Sequence, residues 1–127
     1  MAYNILVADD SHIVRAVIAK TLRLAGVQVG ALFEAANGRE ALDILKRQWI
    51  DLVFADIHMP VMTGLELIEE MNKDGILGST PVVVVSAEGN APRIESLKKK
   101  GISAYIRKPF TPEELRKIVS DLLAGAP

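Results

Sequence analysis

The chain contains no cysteine, which excludes a disulfide framework and every thiolate metal site, and any bound metal must be held by oxygen or histidine. Long hydrophobic runs are missing as well: no stretch approaches the roughly 18 apolar residues of a membrane span, and MAYNILVADD has no basic region leading into an apolar one. A cytoplasmic chain without membrane insertion is therefore expected. Neither sign of charge is in excess, since 15 Lys and Arg stand against 16 Asp and Glu for a net charge of -1. That balance leaves no electrostatic footprint for nucleic acid. Ser-rich and Pro-rich linkers are absent too. What is present, 127 residues with 50% hydrophobic and 24% charged, suits one compact domain over residues 1–127, too short to be two and too apolar to be disordered.

Short apolar runs at 5–8, 32–35 (interrupted by Glu34), 52–55, 82–85 and 104–106 alternate with amphipathic stretches. That alternation predicts five strands and five crossover helices. The first, third and fourth runs are continuously apolar, as buried parallel strands are. Helix starts are marked by Asn37/Glu40, Thr63/Glu66 and Thr111/Glu114, the last two being capping-box pairs, with Pro112 at the first helical position. The first helix places Val14, Val17, Ile18, Leu22 and Ala25 on one face and stops at Gly26. Asn90, Ala91 and Pro92 open the fourth, with Ile94 and Leu97 inward and Gly101 as its stop. The last carries Leu115, Ile118, Val119, Leu122 and Leu123 as one stripe. A full eight-fold barrel typically needs about 250 residues. The prediction is thus a doubly wound, flavodoxin-like α/β fold with a five-stranded parallel sheet in the order 2-1-3-4-5 and helices on both faces.

In that order ligands bind outside the carboxyl ends of the strands, and those ends are polar: Asp9 and Asp10, then Asp56 opening DIHMPVMTG, then Ser86, then Lys108 before Pro109. Neighbouring strands lie about 4.8 Å apart, so the three carboxylates crowd one another. At about 5 Å and an effective dielectric near 20, each ionised pair is unfavourable by roughly 3 kcal/mol, so either some are protonated or a cation is present. Oxygen-only ligands in a half-open site point to Mg²⁺. Ser86 can donate to a phosphoryl oxygen and Lys108 can neutralise its charge, a division of roles suited to phosphoryl transfer.

Blander roles compete for each residue alone. Asp9 or Asp10 could cap the first helix, Asp56 a loop, Ser86 could be a turn residue and Lys108 a surface lysine; together these are the weaker account. Met59 and Met62 read as packing, and Trp49 as a cover for apolar surface near the end of the second helix. The run Lys98, Lys99, Lys100 reads as a solvated helix end bordering a partner face.

The four segments VADD, VFADIHMPVMTG, VVVVSAEG and AYIRKPFTPEEL, in this order and spacing, resemble the receiver domain of two-component response regulators, most closely the stand-alone CheY-like kind. The resemblance implies that Asp56 accepts a phosphoryl group from a histidine kinase or phosphotransfer protein, forming an acyl phosphate. It implies that Asp10 and Asp56 ligate Mg²⁺, His58 through its backbone carbonyl and Asp9 through water. Ser86 and Lys108 would bind phosphoryl oxygens, Lys108 would precede Pro109 in a cis peptide, and Tyr105 would turn inward with Ser86 as the switch. His58 and Glu88 would tune dephosphorylation. A downstream target would read the face of helix 4, strand 5 and helix 5, with the chain a monomer or dimerising on phosphorylation. No output domain follows the last helix, so the expectation is a signalling switch rather than an enzyme, with a phosphate sink or phosphorelay intermediate as alternative. A haloacid-dehalogenase-like phosphatase is disfavoured, because its DxD signature would need an acid where His58 stands.

Overall fold

The computed structural model describes residues 2–87 and 91–124. Five parallel strands, β1 (Tyr3–Ala8), β2 (Val29–Ala35), β3 (Leu52–Ala55), β4 (Val82–Ser86) and β5 (Ala104–Arg107), form one sheet in the order β2-β1-β3-β4-β5. The crossovers are α1 (His12–Leu24), α2 (Gly38–Arg47), α3 (Gly64–Lys73), α4 (Ala91–Lys99) and α5 (Pro112–Val119). A 3₁₀ turn, Ile76–Gly78, follows α3, and a π-type turn, Ser120–Ala124, prolongs α5. The expected doubly wound fold is what forms.

Side chains alternate along each strand, and that alternation sorts the core into two layers. Ile5 and Val7 of β1, with Leu52, Phe54, Val83, Val85 and Ile106, pack against Ile18 and Leu22 of α1 and Leu115, Val119 and Leu123 of the last helix. Leu6, Ala8, Val53, Ala55 and Val82 face the other way, onto Ala41 and Leu42 of α2 and Leu67 and Met71 of α3. Met59 and Met62 join this second layer, as packing residues should. A third cluster, Ile57, Ile68, Val84, Leu97 and Ile102, lies under α4 with Tyr105 against it.

Three local expectations change. First, β2 starts at Val29 rather than at residue 32; Gly30 masks the pattern, but Tyr3 pairs with Val29 and draws the segment into the sheet. Second, Val17 is 51% exposed, because the buried face of α1 is centred on Ile18, Ala19, Thr21 and Leu22. Third, Trp49 is 75% exposed rather than packed down as a cover. Its indole Nε1 donates to Asp51 Oδ1 at 2.9 Å, while Asp51 Oδ2 accepts from Asn4 N at 2.8 Å; a carboxylate anchored to β1 holds the ring outward. In keeping with the disfavoured capping role of the two aspartates, Ser11 caps α1, its Oγ accepting from Val14 N at 3.2 Å. Thr63 and Thr111 both form full capping boxes, and Gly26 ends α1 region at φ 80°. Asn90 lies outside the described residues.

Candidate functional site

Register brings the acidic strand ends together. Ala8 pairs with Ala35 on one side and Ala55 on the other, so the residues that follow, Asp9 and Asp56, leave the sheet at one level. The ladder continues past the strands: Asp9 N donates to Ala35 O and Asp56 N to Ala8 O, both at 3.0 Å. One edge thus carries carboxylates from two adjacent strands. Asp9, Asp10 and Asp56 each offer an oxygen, all within 4.8 Å of one another.

Their environments differ. Asp9 is buried; its Oδ1 accepts from Ser11 N at 2.9 Å and its Oδ2 from Lys108 Nζ at 3.3 Å. Asp56 Oδ1 accepts from Ile57 N at 2.8 Å, and its Oδ2 lies 3.9 Å from Lys108 Nζ. Burial, with the charge of Asp9 adding to it, raises the pKa of Asp56 above the usual carboxylate value, while Lys108, the Ile57 amide and His58 pull the other way. Asp10 is exposed. Lys108 is set by a cis Lys108–Pro109 peptide and by donation of its N to Ser86 O at 2.9 Å, the cis bond standing where the sequence resemblance put it. Ser86 ends β4, buried, at the neighbouring strand end.

The loop after Asp56 is closely fitted. Gly64 N donates to Ile57 O at 2.8 Å, and a Cβ on Gly64 would collide with the Asp56 carbonyl oxygen and stand 2.9 Å from Ile57 Cα. Only glycine allows α3 to begin there. Between them Met62 N donates to Pro60 O at 2.7 Å with Val61 at φ 67°, a γ-type turn that places a β-branched residue in a disfavoured region.

Of the residues singled out in the sequence, the structure brings Asp9, Asp10, Asp56 and Lys108 together, with Ser86 at the adjoining strand end. His58 is exposed in the loop after Asp56. Tyr105 is half-buried beside the α4 cluster. Glu88 lies outside the described residues. Arg15 and Glu34 were missed: Arg15 Nη1 donates to Asp9 O at 2.6 Å and Nε to Glu34 Oε1 at 2.9 Å. The interruption of the second apolar run by Glu34 was the available signal.

A hard cation held at about 2.1 Å in octahedral geometry spaces its oxygen ligands roughly 3–4 Å apart, and three carboxylates with oxygens within 4.8 Å of one another are a donor set of suitable chemistry and approximate size for one. No helix among the described residues is long and apolar enough to cross a membrane.

The pattern of the response regulator receiver domain matches residues 5–120. A chemotaxis protein CheY homolog of Campylobacter jejuni is 35% identical over 121 residues, 94% of this chain and 92% of that protein. Sporulation initiation phosphotransferase F of Bacillus subtilis is 32% identical over 123 residues, 97% and 95% respectively. Among solved structures, the chemotaxis response regulator CheY4 of Vibrio cholerae has a TM-score of 0.84 at 31% identity, covering 97% of this chain and 100% of that one.

Proposed function

This chain belongs to the response regulator receiver domain family, whose members are phosphoryl-accepting signalling switches, and from that premise we propose that Asp56 is its phosphoacceptor. The observation that carries the assignment is the meeting of Asp9, Asp10 and Asp56 with the Lys108 ammonium, 3.3 Å from Asp9 and 3.9 Å from Asp56. A carboxylate oxygen of Asp56 attacks the phosphorus of a phosphohistidine on a histidine kinase or phosphotransfer protein. The P–O bond forms as the P–N bond breaks, and the bonding pair returns to the imidazole nitrogen. Lys108 faces the phosphoryl oxygens with positive charge, and the Ser86 hydroxyl donates to one of them.

Receivers bind Mg²⁺ at such an acidic pocket; here Asp10 and Asp56 would hold it directly, Asp9 through water and His58 through its backbone carbonyl. When bound, it supplies charge that offsets the crowded carboxylates and the phosphoryl group. Phosphorylation adds about -1.5 to -2 charges and biases a two-state equilibrium of Ser86 and Tyr105, which the face of α4, β5 and α5 presents to a target protein. His58 and Glu88 govern access of water to the acyl phosphate, and so its lifetime. The protein acts in the cytoplasm as a monomer that can dimerise when phosphorylated. The similarity to a sporulation phosphotransferase supports a second reading, a phosphorelay intermediate that passes its phosphoryl group on.

The test is Mg²⁺-dependent labelling by acetyl phosphate, read by intact mass. Wild type gains one phosphoryl group and Asp56→Asn gains none; equal, stable labelling of both would exclude Asp56 as acceptor.

A further inference from the structure

One member of the acidic set has nothing holding its side chain. Asp9 is tied through all its polar atoms: N to Ala35 O, Oδ1 from Ser11 N, Oδ2 from Lys108 and the carbonyl O from Arg15. Asp56 is tied by its N to Ala8 O and by Oδ1 to Ile57 N. The Asp10 carboxylate has no hydrogen-bond or ion-pair partner among the described residues. Its place therefore depends on the backbone that carries it.

The Asp9 carbonyl and the Asp10 amide share one planar peptide unit. A donor that fixes the direction of that carbonyl also fixes the direction in which Asp10 leaves the strand. Arg15, from the second turn of α1, is that donor at 2.6 Å, and its Nε is anchored on Glu34 of β2 at 2.9 Å. The arginine side chain is 16% exposed and the glutamate 49%, so the fork is packed in place rather than waving from the surface. The planar guanidinium holds its two acceptors through donors fixed in one plane, a geometry that the rotating ammonium of a lysine does not reproduce.

We propose that Arg15 is a positioning residue: by clamping the Asp9–Asp10 peptide, with Glu34 holding its guanidinium, it aims the Asp10 carboxylate at the divalent cation. The proposal rests on the receiver reading. It is sharply testable because the two consequences of losing Arg15 have opposite signs. Deleting a positive charge beside three carboxylates by itself tightens cation binding, whereas misaiming a ligand loosens it. Groups that orient metal ligands typically alter affinity about 10- to 100-fold.

The experiment is calorimetric Mg²⁺ titration of the full chain, with urea unfolding followed by circular dichroism on the same samples. Arg15→Ala is expected to bind Mg²⁺ about tenfold more weakly than wild type, and Arg15→Lys, which keeps the charge, also more weakly. A merely structural arginine would lower the unfolding midpoint and leave the Mg²⁺ affinity of the folded protein unchanged or tighter; that result overturns the proposal. Should Arg15→Ala fail to fold, Arg15→Lys decides, since it keeps the charge while losing the planar fork: weaker Mg²⁺ binding supports the clamp and unchanged affinity overturns it. Failure of wild type itself to bind Mg²⁺ and to be labelled on Asp56 would remove the receiver reading and this inference together. Wild-type binding and labelling with Mg²⁺ affinity unchanged in both Arg15 variants removes this inference alone.

Discussion

Replacing Gly64 by alanine tests how tightly the phosphoacceptor loop is built. The added methyl would stand 2.9 Å from Ile57 Cα and 3.0 Å from the Asp56 carbonyl carbon, with the carbonyl oxygen closer still. Ordinary contact begins at 3.4 Å, so Ile57 Cα alone must retreat by 3.4 - 2.9 = 0.5 Å, and the Asp56 carbonyl by more. These atoms cannot yield freely, because Asp56 N is bonded to Ala8 O at 3.0 Å and Gly64 N to Ile57 O at 2.8 Å. Overpacking of this kind destabilises by about 1–3 kcal/mol, while alanine recovers part of the roughly 0.5–1 kcal/mol entropic disadvantage of helical glycine. The net expectation is a loss of about 1–2 kcal/mol. Chemistry should suffer more than stability. A displacement near 1 Å at a reacting group lowers rate by up to about 100-fold, so acetyl phosphate labelling of Gly64→Ala should slow at least about tenfold. Urea unfolding by circular dichroism and the labelling time course by intact mass give the two numbers. An unfolding midpoint and a labelling rate both equal to wild type would refute the close approach on which the reasoning depends.

Asp56→Asn should be more stable than wild type at pH 7 without Mg²⁺. The raised pKa of Asp56 means that the folded state favours its protonated form; the stability this adds is full below the unfolded pKa, near 3.8, and is lost as pH rises through the folded value. The advantage of the asparagine should shrink on acidification, and urea midpoints between pH 4 and pH 7, each an approximate bound taken from the carboxylate range, check the trend. Lys108→Ala removes the cation 3.3 Å from Asp9 and should destabilise the metal-free chain by about 1.5–3 kcal/mol, the usual worth of a hydrogen bond to a charged group. Mg²⁺ at ten times its Kd should restore about 1.4 kcal/mol of that, so a variant indifferent to Mg²⁺ would contradict a shared site. Val61→Gly relieves a positive φ at a residue 81% exposed. Strain of about 1–3 kcal/mol set against glycine's roughly 0.5–1 kcal/mol leaves a net gain near 1 kcal/mol, visible as a raised Tm.

The sheet and its acidic edge were legible because they depend on features a sequence displays directly. Continuous apolar runs at β1, β3 and β4 place Ala8, Ala55 and Ser86 at strand ends, and the next residues declare themselves as Asp9 and Asp56. Capping boxes at Thr63 and Thr111 were equally visible, being local in sequence. What escaped notice depends on partners distant in the chain. Tyr3 recruits Val29 into β2 across the sheet, and Asp51, itself anchored on Asn4, turns Trp49 outward. Arg15 looks like an ordinary polar position of an amphipathic helix until Glu34, 19 residues on, and the Asp9 carbonyl are seen to converge on it. The Ser11 cap of α1, whose own amide is held by Asp9 Oδ1, also went unread, although it is local.

The outward setting of Trp49 decides how this protein can be watched. It is the only tryptophan in the chain, and it precedes β3 while Asp56 follows it, so the four steps from Leu52 to Asp56 alone separate them by about 13 Å at 3.3 Å per residue. Its indole already faces water, with Nε1 donating to Asp51. Intrinsic fluorescence should therefore stay silent when a cation or phosphoryl group arrives at the far edge, and change little on unfolding. An engineered tryptophan at the exposed position of Ile13, three residues beyond Asp10, would turn the same optical signal into a direct reporter of site occupancy.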